Sequence, residues 1–191
     1  MKNAFLVHGW ADKSEFDDLS ARTPSNNHWL PWLTKQLMVR GIHTVALEMP
    51  TSYYPEYHLW KKELERFEID QNTILVGHSC GGGFIIRWLS ENPNISIKKI
   101  VLVAPWIGFE PKADFDKTFF EFEIDQNISK RVKDLVMLSS TDDKPGVKKS
   151  EEVLKNKLHG LRYVEFQNKG HFTLKSLGSE EFPELLEEIV R

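Results

Sequence analysis

Apolar residues fall in short runs separated by polar or glycine-rich stretches. Ala4–Val7, Ile42–Leu47, Thr73–Val76, Lys99–Ala104, Leu135–Ser139 and Arg162–Phe166 each read as a short buried strand. Between them apolar residues recur at helical spacing. Leu30, Leu33, Leu37 and Met38 form one such face, with Asn27 as its cap, Pro31 in the first turn and Gly41 as its stop. Trp60, Leu64 and Phe67 mark a second helix, and Phe84, Ile85, Trp88 and Leu89 a third. Val147, Leu154 and Leu158 predict a helix ending at Gly160. Phe182, Leu185, Leu186 and Ile189 predict a last one, capped by Ser179. Residues 11–27 are polar and read as a long loop. Residues 105–131 lack a clean period but hold Trp106, Ile107, Phe109, Phe115, Phe119, Phe120 and Phe122. The hexapeptide FEIDQN occurs at 67–72 and again at 122–127. Its flanks differ, so it reads as coincidence and not as a repeat architecture.

Strands alternating with helices predict an α/β chain, a parallel sheet with helices on both faces. In such sheets the chemistry gathers at the carboxyl ends of the strands. His8, Ser79, Asp142, Asp143 and His171 each follow a predicted strand, so one edge of the sheet is expected to hold them all.

The stretch Thr73–Leu89 carries the sharpest signal. A buried strand runs into Gly77-His78-Ser79-Cys80-Gly81 and then into an amphipathic helix. Strand, Gly-x-Ser-x-Gly, helix is the context of a nucleophile elbow, in which small neighbours permit a tight turn and expose the serine. A serine hydroxyl needs a base, and His171, behind Gly170 after the last strand, is the best placed. Asp142 and Asp143, after the preceding strand, are the candidates to orient that histidine. Two backbone donors are expected for an oxyanion: the N–H of Cys80, directly after the nucleophile, and one from His8-Gly9-Trp10, with Trp10 preferred. His8 and Gly9, together with Trp106 and Ile107 from the aromatic stretch, are expected to border the substrate. The Cys80 side chain is expected to pack inward, and His78 to point away from the serine side chain and pack.

Composition narrows the setting without changing the picture. The chain has 191 residues, enough for one domain spanning 1–191. It is 40% hydrophobic and 28% charged, with a net charge of −3. Acidic and basic residues are interspersed, so nothing points to nucleic acid or an anionic membrane as a partner. No apolar run is long enough to span a bilayer, and the N-terminus reads as a strand instead of a signal peptide. A lone cysteine fits a reducing compartment, and a cytoplasmic location is expected. No two histidines share a helix face at ligand spacing, so neither metal nor other cofactor is expected. The carboxylates of the first loop match no calcium-binding spacing.

With these residues in place, the chain resembles the α/β-hydrolases, and more narrowly the small serine hydrolases related to retinoblastoma-binding protein 9. The resemblance rests on His28-Trp29-Leu30-Pro31-Trp32-Leu33, Asn72–Gly82, Ile100–Ala104, Ser140-Thr141-Asp142-Asp143 and Gly170-His171-Phe172, blocks spread along nearly the whole chain. It implies a reduced α/β-hydrolase fold, a six-stranded, mostly parallel sheet in the order 2-1-3-4-5-6. It implies Ser79, Asp143 and His171 as nucleophile, acid and base. Two features depart from the family pattern: Lys144-Pro145-Gly146-Val147 after the acid, and a more acidic first loop. The expected function is hydrolysis of an ester, thioester or amide of a small-molecule acyl substrate through an acyl-enzyme, with carboxylesterase as first choice. The alternatives are a peptidase or acyl-protein hydrolase, and a non-catalytic binding module on the same fold.

Overall fold

Six runs rich in Val, Ile and Leu have no polar face to offer water, and they pair into a sheet buried on both sides. The computed structural model describes residues 2–110 and 116–191. The strands are β1 (Asn3–Val7), β2 (His43–Leu47), β3 (Thr73–His78), β4 (Ile97–Val103), β5 (Val132–Ser140) and β6 (Arg162–Phe166). They form one sheet in the order β2-β1-β3-β4-β5-β6. Every pairing is parallel, so the sheet is wholly and not mostly parallel. The helices are α1 (Lys13–Asp17), α2 (Leu30–Val39), α3 (Tyr57–Leu64), α4 (Cys80–Glu91), α5 (Ile128–Arg131), α6 (Pro145–Lys157), α7 (Leu174–Leu177) and α8 (Pro183–Val190).

The two-residue period of each strand divides the core in two. Phe5, Val7, Leu75, Ile100, Leu102 and Met137 face a layer built by Trp60 and Leu64 of α3, Phe84, Ile85 and Trp88 of α4, and Leu154 of α6. Ala4, Leu6, Ile74, Val76, Val101 and Leu138 face Leu30, Leu33 and Leu37 of α2 and Leu185 and Ile189 of α8. β3 lies inside the sheet and is buried along its whole length.

Several helix boundaries differ from the sequence expectation. Residues 11–27 are not plain loop: Asp12 caps the short α1 by accepting from Ser14 N–H, and Pro24–Asn26 form a 3₁₀ turn. Asn27 does not cap α2, whose cap position is Trp29; its side chain accepts from His28 N–H instead. Met38 is exposed, because α2 turns only Leu30, Leu33 and Leu37 to the core. Phe67 lies past the end of α3 and packs its ring on Phe5 at 4.9 Å. Ser179 binds Glu181 N–H in a turn ahead of α8, whose cap position is Phe182. Of the aromatic stretch, Phe119 is core, and Phe115 lies outside the described residues.

Candidate active site

β3 and α4 meet at Ser79 in a turn tight enough to force its backbone to φ 54°, ψ −125°, a region that non-glycine residues rarely adopt. Small neighbours make this approach feasible. A side chain at Gly77 would stand 2.6 Å from Gly82 Cα, and one at Gly81 would stand 2.4 Å from the His8 carbonyl. The loop after β1 therefore runs directly beside the turn.

His171 Nε2 lies 2.9 Å from Ser79 Oγ. The other ring nitrogen, Nδ1, lies 3.0 Å from both Asp143 carboxylate oxygens. The Asp143 carboxylate is shut off from solvent and accepts a further bond, 2.7 Å, from Lys144 N–H. A carboxylate only accepts, so the neutral ring carries its proton on Nδ1 and turns the Nε2 lone pair to the serine hydroxyl. Asp142 faces the other way. Its Oδ1 accepts from Ser140 Oγ at 2.6 Å and from Gly170 N–H at 2.8 Å, tying the loops after β5 and β6 together. The Ser140 hydroxyl holds this exposed carboxyl below its ordinary range.

His8 is buried, and its ring spans two backbone groups. Met49 N–H donates to Nε2 at 2.9 Å, so the neutral ring has its proton on Nδ1, which donates to the Gly9 carbonyl at 2.7 Å. Glu48 stands farther from the same Nε2, at 3.5 Å. Holding the Gly9 carbonyl orients the whole Gly9–Trp10 peptide, because its C=O and N–H point in opposite directions. The Trp10 N–H lies within reach of the Cys80 sulfur. The Trp10 indole is fixed in turn by the Tyr53 carbonyl at 2.8 Å. Cys80 opens α4, so no carbonyl of its own helix precedes its N–H. Its thiol is fully buried, and burial pushes it far up from its ordinary pKa, leaving it protonated and unreactive.

A cavity of about 760 Å³ opens over Ser79. His8, Gly9 and Trp106 line it, as the sequence suggested, together with Phe109, Glu110 and Val147. Ile107 does not: it packs on the helix below, and its N–H donates to Ser150. The aromatic wall thus ends early, since Phe119 and Phe120 turn inward against the rings of α3, α4 and Trp106. Among the described residues no cluster of three His, Cys, Asp or Glu side chains could hold a metal, and no helix is long and apolar enough to cross a membrane.

Three residues that sequence chemistry did not single out converge on the turn carrying His171. His78 Nε2 donates to the His171 carbonyl at 2.8 Å, the Trp29 indole to the Phe172 carbonyl at 3.0 Å, and Leu174 N–H to His28 Nδ1 at 3.1 Å. Burial, then the charge of His171 and His28, lowers the His78 pKa well below the usual imidazole range. The one signal for them in the sequence was the His28-Trp29 block, which suggested a family and no role.

Fold and site together define a small α/β-hydrolase. The chain belongs to the serine hydrolase family, whose model matches residues 5–190. It is 28% identical over 178 residues to YdeN of Bacillus subtilis, covering 90% of this chain and 86% of that one. The crystal structure of the ydeN gene product matches with a TM-score of 0.81 and 25% identity, over 100% of this chain and 97% of its own. The fold recurs at 16% identity and a TM-score of 0.64 in the monoacylglycerol lipase of Paleococcus ferrophilus, over 98% of this chain and 92% of that one.

Proposed function

We propose that this serine hydrolase is a carboxylesterase acting on small acyl esters, with Ser79 as nucleophile, His171 as base and Asp143 as its orienting acid. One observation carries the reading: an unbroken hydrogen-bonded line from Ser79 Oγ through both nitrogens of His171 to a buried carboxylate, at the floor of an open cavity. A binding module has no need of such a line.

In the first half-reaction His171 Nε2 takes the Ser79 proton as Oγ attacks the ester carbon. The carbonyl oxygen becomes an oxyanion held by the N–H groups of Trp10 and Cys80; it is a far stronger acceptor than the thiol sulfur beside Trp10. Asp143 stabilises the imidazolium. That imidazolium then protonates the alcohol oxygen, the C–O bond breaks, and the acyl group stays on Ser79. Water enters along the same path, gives its proton to His171 and releases the acid.

The test is a fluorophosphonate probe together with ester turnover. Wild type is expected to label at Ser79, and Ser79→Ala to lose labelling and about 10⁶-fold in kcat, as in serine proteases stripped of their nucleophile. Full turnover by a folded Ser79→Ala protein would overturn the reading.

A further inference from the structure

His28 has surroundings that packing does not require. Its φ of 54° lies in the left-handed region, uncommon for a side chain of this size. The turn is held from both sides: Asn27 Oδ1 accepts His28 N–H at 2.8 Å, and the next residue, Trp29, is fully buried. The ring is held as well. Nδ1 accepts from Leu174 N–H at 3.1 Å, so in the neutral ring the proton sits on Nε2, at the opposite edge. Burial and the charge of His171 both favour that neutral form. No hydrogen bond occupies Nε2–H among the described residues, and the ring lines the cavity over Ser79.

Its position in the cavity identifies what it meets. His171 delivers its proton to the oxygen of the departing alcohol, so the alcohol half of the substrate lies on the His171 side. Asn27, His28, Thr173 and Leu174 line that part of the cavity. Thr173 spends its hydroxyl on capping α7 with Ser176, and Leu174 is apolar. Lys175, at the rim, is long and exposed and has no fixed direction. His28 is the donor on this wall whose direction is set by the protein.

We propose that His28 is a substrate-binding residue whose Nε2–H reads an oxygen carried by the leaving alcohol, a hydroxyl or ether a few bonds beyond the ester oxygen. Esters of polyol-like or alkoxy alcohols are then preferred to esters of plain alkanols of the same shape. This deepens the esterase reading and rests on it.

The experiment compares kcat/KM for methoxyethyl butanoate and butyl butanoate, which share the acyl group and differ by one oxygen in place of a methylene. His28→Asn keeps an acceptor for Leu174 N–H, tolerates positive φ and lacks the far-edge donor. The ratio of methoxyethyl to butyl ester is expected to fall by a factor of about three to ten, the worth of one neutral hydrogen bond. His28→Gln, whose amide reaches the position of Nε2, is expected to recover most of the ratio although it loses the bond to Leu174. A ratio unchanged in His28→Asn overturns the proposal, and so does an equal fall in both rates, which would make His28 only a prop for the His171 turn. Failure of wild type to cleave either ester would instead remove the esterase reading beneath it.

Discussion

Two adjacent carboxylates, Asp142 and Asp143, meet different surroundings because the chain turns between them. Asp143 is sealed against His171, whereas Asp142 joins two loops at the surface. Asp143→Asn is expected to lower kcat by about 10⁴, because an amide facing Nδ1 favours the wrong tautomer of the base. Asp142→Asn is expected to lower the melting temperature slightly and leave turnover within severalfold of wild type. The two are assayed side by side on one ester, and the reverse pattern would exchange the roles. His8 gives a second contrast. His8→Leu frees the Gly9 carbonyl and so loosens the Trp10 N–H; kcat is expected to drop about tenfold or more with KM little changed. His8→Asn puts an amide N–H where Nδ1–H stood, and steady-state kinetics should show most of the loss restored.

The turn after β6 is held by side chains from α2, from the segment before it and from β3, which gives the elements a shared response to acid. His78 and His28 are both neutral in the fold, with pKa values lowered from the ordinary 6.5, for both chiefly through burial. In the unfolded chain they protonate near 6.5, so below that pH the unfolded state binds more protons. Stability is therefore full above about pH 6.5 and declines as pH falls, by up to about 1.4 kcal/mol per pH unit for each such group. His78→Gln retains a donor for the His171 carbonyl but cannot titrate. Its melting temperature should fall less steeply than that of wild type between pH 6.5 and 5, and an identical slope would exclude His78 as a source. None of this was legible from residue patterns, because His78 and His28 act on main-chain atoms 93 and 146 positions away. The strands were legible, since a sheet buried on both faces leaves continuous apolar runs. Helix ends were less so. Both FEIDQN copies form the same local turn, Asp70 and Asp125 each accepting the N–H two residues on at 2.8 and 2.9 Å. One then enters β3 and the other α5, a choice made by Thr73 and Ile128 and what they pack against.

At the scale of the molecule, the loops after β1, β3, β5 and β6 bring Trp10, Ser79, Asp143 and His171 to one edge because every strand points the same way. Parallel pairing alone made that convergence readable before any side chain was placed. The choice between Asp142 and Asp143 was not, since it depends on where the loop starts to turn. The opposite edge is anchored separately: buried Lys99, near the start of β4, donates to the Glu188 carbonyl at 2.7 Å and pairs with Asp134 at 2.9 Å, holding the end of α8. One segment stands apart from this economy. Residues 12–23 are exposed without a break, and they are tethered by Ala11 N–H to Ser52, Ser25 N–H to Glu48 and the Arg22–Glu180 ion pair. Trypsin has two cleavable bonds there, after Lys13 and after Arg22. A chain nicked at Arg22 should nevertheless stay in one piece, because β1 remains hydrogen-bonded between β2 and β3 with four of its five residues buried. Two bands on a denaturing gel with an unchanged native mass would show it; dissociation of the pieces would show that covalent continuity, and not the sheet, keeps the oxyanion-side loop in the enzyme.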